Sequence, residues 1–277
     1  MTNTGTMPAV VASADGTRIA AYREGAGHAI ILIDPALGMH KDSAKLSTAL
    51  AGRFDVITYD RRGRGGSDDA SAGTADPDHE IDDIAALVEV AGGSAILFGQ
   101  SSGAALALAA AARLGDAVTG VLAYEPPFIC DDSRPPIAAD LAARIAADVA
   151  HGDRSAAVTA FFSEAVGVPK AMVAAMRLMP MWRRATAIAH TLRYDFAVLD
   201  GLQRGGPLPL ERWAGLTAPT VVMAGSKSEE FFHRSARALA AGLPTVEAVA
   251  LDGGHHGTPT MSPGTLAQEL IRRFAAS

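Results

Sequence analysis

Five residues, Gly99-Gln100-Ser101-Ser102-Gly103, constrain this chain more than any other stretch. The apolar run before them, 94–98, has the character of a buried strand, and the small-residue run after them, 104–114, that of a helix. In that setting Gly-x-Ser-x-Gly predicts a nucleophile elbow, a sharp strand-to-helix turn with a serine at its apex. Glycines two positions either side of Ser101 relieve the clashes that strained backbone would otherwise cause. The Ser101 hydroxyl is then expected clear of the sheet at the positive end of the helix, with the backbone N–H of Ser102 aimed where an oxyanion would form. A bare pentapeptide would fit an ordinary turn equally well; the flanking strand and helix favour the elbow.

The surroundings repeat the same rhythm. Apolar runs at 29–33, 55–59, 118–124, 220–224 and 245–251 read as strands, and helices are expected over 42–51, after Asp78, over 229–243, and from Ser262-Pro263 onward. Ala14-Asp15-Gly16 marks a hairpin. The alternation predicts an α/β fold, a mostly parallel sheet with helices on both faces. It stops between 126 and 210, where helical stripes such as Leu141, Ile145 and Val149 and the methionines Met172, Met176, Met179 and Met181 replace strands. One domain, 1–125 with 211–277, is therefore expected to carry a helical insertion, 126–210. With 49% hydrophobic and 19% charged residues a sizeable core is available and global disorder is excluded. The net charge of −6, without a basic block, argues against nucleic acid as the main partner. Cys130 is the only cysteine, so neither an intramolecular disulfide nor a cysteine-based zinc site can form. No run reaches membrane-spanning length and residues 1–8 lack a signal pattern, so a cytoplasmic protein without membrane partner is expected.

Taken in this order, the chain resembles the α/β-hydrolase family over nearly its whole length. The resemblance is carried by Asp34-Pro35-Ala36 after a strand, where many members have His-Gly-x, by the Asp60-Arg61-Arg62-Gly63-Arg64 loop, by the elbow, by the helical insertion as a cap, and by Gly253-Gly254-His255-His256 after the last strand. It implies Ser101 as nucleophile, His256 as its base, and the N–H groups of Ala36 and Ser102 as the oxyanion hole, with no metal and no cofactor. Neutral imidazole suits the base role near pH 7. In the arginine-containing loop it implies a structural element rather than an anion site.

The acid departs from the usual pattern. Ser228 stands at the place where most members carry an aspartate, and Glu229 and Glu230 beyond it fit a helix start capped by Ser228. Certain haloalkane dehalogenases keep the acid one strand after the elbow, and Glu125 matches that place. Glu125 is the preferred acid; Glu229, Glu230, the insertion residue Asp195, or no carboxylate at all are the alternatives. Asp34, Leu37, Met179 and Trp182 are expected to bind substrate, the methionines being divided between helix packing and the roof of an apolar pocket. The expected function is a cofactor-independent serine hydrolase of a small-to-medium apolar ester, lactone or thioester. Two rivals remain: a cyclase, lyase or transferase using His256 and Asp34 as acid and base, and a ligand-binding protein with an incomplete triad.

Overall fold

The computed structural model describes residues 8–71, 73 and 75–275; of the stretch 1–8 read for a signal pattern, residues 1–7 lie outside it. The strands are β1 (Ala9–Ala12), β2 (Arg18–Gly25), β3 (His28–Ile33), β4 (Phe54–Tyr59), β5 (Ala95–Gln100), β6 (Val118–Tyr124), β7 (Thr220–Gly225) and β8 (Val246–Leu251). They form one sheet in the order β1-β2-β4-β3-β5-β6-β7-β8. β1 pairs antiparallel with β2 and β2 with β4; every pairing from β4 to β8 is parallel.

Between the strands run α1 (Ala44–Leu50), α2 (Pro77–Val90), α3 (Ser102–Leu114), α4 (Leu141–Ala150), α5 (Arg154–Ala160), α6 (Lys170–Met176), α7 (Pro180–Ala187), α8 (Leu192–Val198), α9 (Glu230–Gly242), α10 (Thr258–Met261) and α11 (Gly264–Phe274). Alternate residues of β3 serve opposite faces. Ile30 and Leu32 join Leu46 of α1 and Leu266 of α11, whereas Ile31 and Ile33 join Ile84 of α2, Leu106 of α3 and Leu239 of α9. A strand buried on both sides must be apolar throughout, which is why 29–33 is a continuous hydrophobic run.

Residues 126–210 contain no strand, and α4 to α8 all lie within them, between β6 and β7. Two helices gain a short turn before them. A short 3₁₀ turn, His40–Ser43, precedes α1, and a one-turn helix, α10, precedes the final helix, which starts directly after Ser262-Pro263. The order reverses at β3, whose neighbours are β4 on one side and β5 on the other. Loops leaving β3 and β5 at such a reversal point diverge and leave a crevice beyond the strand ends. Asp34 and Ser101 open those two loops.

Candidate active site

Ser101 lies between the last residue of β5 and the first of α3, with φ 56° and ψ −123°. A non-glycine residue there stores about 1–3 kcal/mol of strain and needs surroundings that impose it. They do. The Ser101 N–H donates to the Tyr124 carbonyl at 2.9 Å, and the Ser101 carbonyl accepts from the N–H of Ala104 at 2.9 Å. A Cβ on Gly99 would stand 2.2 Å from the Gly103 carbonyl oxygen, and one on Gly103 only 2.4 Å from that of Ile33. Both glycines are thus demanded by close approach of strand and helix.

Glu125 directly follows β6 and is fully buried with φ 51°. Its Oε1 accepts from the Gly225 N–H at 2.7 Å and from the Ser228 hydroxyl, while its Oε2 lies 2.7 Å from Nδ1 of His256. Burial pushes this carboxyl up, but the hydrogen bonds from His256, Ser228 and Gly225, with the charge of His256, outweigh it and hold Glu125 below the usual carboxylate range. An ionised Glu125 only accepts, so Nδ1 of His256 is the donor in this contact, and in the neutral ring Nε2 keeps the lone pair. The loop bearing His256 is tied to the sheet from below: Gln100 Nε2 donates to the His256 carbonyl at 2.8 Å, and the Tyr124 hydroxyl to that of His255 at 2.9 Å. A Cβ on Gly225 would meet the Gly254 carbonyl carbon at 2.3 Å, so only glycine lets the loop settle there. The Phe232 ring stacks on the imidazole, centroids 5.2 Å apart, leaving the His256 side chain 43% exposed.

The loop after β3 is fastened by arginines. Arg61, Arg62 and Arg64 are buried, and each meets carboxylates. Arg61 pairs with both oxygens of Glu80 and donates to the Asp34 carbonyl at 3.1 Å. Arg64 Nη1 donates to the carbonyls of Pro35 (2.7 Å) and Gly38 (3.2 Å). Across a trans peptide the carbonyl and the following N–H point in opposite directions. Holding the Pro35 carbonyl on Arg64 therefore directs the Ala36 N–H to the other side. Asp195 of α8 completes the fastening: one oxygen accepts from Arg61 and the Ser102 hydroxyl, the other from Arg64, all at 2.8 Å. Burial pushes the Asp195 carboxyl up, and the two arginines and Ser102 more than reverse it.

A cavity of about 150 Å3 opens above Ser101, and Ala36, Ser102 and His256 line it too. Its walls are mainly apolar, with Phe161, Phe196, Leu199 and Phe232 prominent and Arg134 and Glu229 as polar entries. Phe161 begins a π-helical turn, Phe161–Val166, ended by Gly167 in the left-handed region at φ 87°. Such wide turns are rare and cluster at functional sites, and this one puts Phe161, Ala165 and Val166 on the cavity.

This constellation can be set beside known proteins. The sequence matches the alpha/beta hydrolase family over residues 25–269. The chain is an α/β hydrolase. A solved alpha/beta hydrolase from Sphaerobacter thermophilus is 42% identical, with 95% of this chain and 99% of that one covered and a TM-score of 0.86. Two esterases share the fold at lower identity. One, thermophilic, from Thermogutta terrifontis, is 20% identical with a TM-score of 0.69 and coverage of 98% and 100%; the other, from Exiguobacterium antarcticum, is 18% identical with 0.72 and coverage of 96% and 98%. No curated protein matches the sequence.

In this α/β hydrolase the structure brings Ser101, Ser102, Ala36 and His256 onto one cavity and Glu125 onto His256. It does not bring the four expected substrate contacts there. Asp34 is 2% exposed; its Oδ1 accepts from Ser43, and its Oδ2 is buried without a partner. Leu37 turns into the hydrophobic clusters of the helical segment. Trp182 packs with Val158, Val173 and Ala185, its indole N–H donating to Ser155 at 3.3 Å. Met179 is 52% exposed in the turn before α7, and Met172 and Met181 are exposed as well, so these methionines form no pocket roof. Ser228 does not cap α9; Glu229 is its N-cap residue, and the Ser228 hydroxyl serves Glu125 instead. Glu230 pairs with Arg234 and Arg237. Asp195, the other alternative acid, belongs to the arginine network. Phe232 beneath the imidazole, Arg134 and the aromatic walls carry no spacing signal and were invisible in the sequence. No helix among the described residues is long and apolar enough to cross a membrane.

Proposed function

We propose that this α/β hydrolase is a cofactor-independent serine hydrolase cleaving a small-to-medium, largely apolar ester, lactone or thioester through an acyl-enzyme on Ser101. The single observation that carries this is the 2.7 Å contact between Glu125 Oε2 and Nδ1 of His256, on the cavity that holds the strained Ser101. It leaves Nε2 to act as base. Nε2 takes the Ser101 hydroxyl proton as Oγ attacks the carbonyl carbon, giving a tetrahedral oxyanion. The Ala36 and Ser102 N–H groups stabilise that charge; one such donor is worth about 10²–10³ in turnover. Collapse expels the leaving group, which takes the proton from His256. Water then attacks the acyl-enzyme, giving its proton to Nε2, and the acid departs as Ser101 regains it. Glu125 stays ionised throughout and stabilises the imidazolium.

Residues 126–210 serve as the cap in this scheme, closing apolar walls over the elbow so that the site is poorer in water than the surface. Apolar walls favour a substrate of low polarity. A lyase or transferase route through Asp34 has no support, because that carboxylate does not line the cavity. A fluorophosphonate probe tests the proposal. Covalent labelling mapped to the Ser101 peptide, absent in Ser101→Ala, is the expected result, and Ser101→Ala should lower ester turnover by about 10⁴–10⁶-fold with an unchanged melting temperature. An unlabelled, inactive wild-type protein would sink the hydrolase assignment in favour of a binding role.

A further inference from the structure

Arg134 is a cation on the substrate cavity without a counter-ion. No ion pair within 4.0 Å involves it among the described residues, unlike Arg61, Arg62 and Arg64. Its Nη2 donates to the neutral carbonyls of Ala165 (2.8 Å) and Val166 (2.9 Å), and its guanidinium lies 4.7 Å over the Phe231 ring. These contacts fix the plane of the group and leave its charge unpaired. Nε and Nη1 donate to nothing among the described residues, and neither is sealed within protein. Burial lowers the Arg134 pKa, with Glu229 the one carboxylate opposing that effect. Glu229 is exposed and its charge is screened by water. Asp195, the remaining carboxylate on the cavity, is already taken by two arginines. A half-buried, oriented guanidinium with two free donors is built to receive a planar anion.

The topology says which part of the substrate carries that anion. Phe232 stacks on His256 with centroids 5.2 Å apart, and Phe231 lies tilted against Phe232 at 3.9 Å, so Arg134 lies at the far end of a run of rings that starts at the imidazole. Phe231 and Phe232 belong to α9, which packs on β7 and β8, on one side of β5; Ala36 follows β3, on the other. His256 gives its proton to the leaving group, so the leaving group lies on the Arg134 side.

We propose that the natural substrate has a carboxylate on its leaving group and that Arg134 binds it; this rests on the serine-hydrolase reading above. Two isosteric esters test it in the full-length protein, the butanoate of 3-hydroxybenzoate and the butanoate of 3-hydroxybenzamide, each rate normalised to uncatalysed hydrolysis. Wild type should prefer the carboxylate by about 10- to 100-fold in kcat/KM, as expected for a hydrogen bond to a charged group, chiefly through KM. Arg134→Gln should bring the ratio close to one, and Arg134→Lys, which keeps the charge, should retain part of it. The ratio within each variant is the readout, so a general loss of stability does not imitate the effect. A ratio near one in wild type, or one unchanged in Arg134→Gln, overturns the inference while leaving the hydrolase intact. A carboxylate preference seen only on the acyl side, with mono(4-nitrophenyl) glutarate, overturns the placement. Failure to hydrolyse either ester, with Ser101 unreactive to fluorophosphonate, overturns the hydrolase reading itself.

Discussion

Ser101 and Asp195 stand on the same cavity, yet one is placed by backbone and the other by charge. Around Ser101 the fixing contacts are main-chain hydrogen bonds to Tyr124 and Ala104 and the close approach of Gly99 and Gly103. Around Asp195 they are side-chain contacts to Arg61, Arg64 and Ser102, reaching from α8 to the loop after β4 and to the start of α3. The backbone-held half tolerates a changed side chain at its apex but not a Cβ at its glycines. The charge-held half is vulnerable to the loss of one charge. Each half also contributes one oxyanion donor under the proposed mechanism, and the Asp195 network touches both, through the Ser102 hydroxyl and through Arg64 on the Pro35 carbonyl.

The largest effect that would sharpen this contrast is chemical. Glu125→Gln keeps the shape but loses the charge facing His256 and favours the wrong tautomer, and turnover should fall by up to about 10⁴-fold. A fall of only a few fold in steady-state kinetics would show that another group orients His256. The next effect is on stability. Asp195→Asn strips the shared counter-charge from two buried arginines, at a cost of about 3–5 kcal/mol. At about 2–4 °C per kcal/mol, calorimetry should record a melting temperature lower by on the order of 10 °C, a loss Ser101→Ala does not share. Equal melting temperatures for the two variants would abolish the distinction between the halves.

A third effect depends on pH. Burial pushes the Asp34 carboxyl up to about 7 from an ordinary 3.8, more than hydrogen bonding by Ser43 and the nearby arginines restore. The folded state therefore keeps a proton that the unfolded state releases. The stability this group contributes is complete below about pH 4, declines as pH rises and is gone above about pH 7. Asp34→Asn cannot ionise, so its melting temperature relative to wild type should climb between pH 4 and 8 and then level off. A constant difference across that range would mean Asp34 is ionised throughout. Smallest in turnover is Ser102→Ala, which removes one hydrogen bond to the charged Asp195, about 1.5–3 kcal/mol of stability, and leaves the Ser102 N–H in place; turnover should drop a few fold at most. A Ser102→Ala enzyme as inactive as Ser101→Ala would put the nucleophile one residue later.

Much of the frame was written locally. Continuous apolar runs such as 29–33 announce strands buried on both faces, and Gly99 and Gly103 announce the elbow, because these signals are carried by residues adjacent in the chain. The absence of strand character over 126–210 marked the helical segment for the same reason. Glu125 could be preferred from its place after β6, but the sequence left Glu229, Glu230 and Asp195 open beside it. That choice needed β6 and β7 side by side, with the Gly225 N–H and the Ser228 hydroxyl converging on one oxygen and His256 on the other. Asp34, Leu37, Met179 and Trp182 had the right chemistry for a pocket and point elsewhere, since which way a side chain faces depends on helices packed from distant parts of the chain. Arg134 is the converse, an unremarkable surface residue in the sequence that the π-helical turn and Phe231 set on the cavity. Period and turn chemistry act over short stretches and fix the elements. Which charges meet, and which one is left without a partner, is decided only when residues a hundred positions apart are brought within 3 Å, as Glu125 and Gly225 are at 2.7 Å.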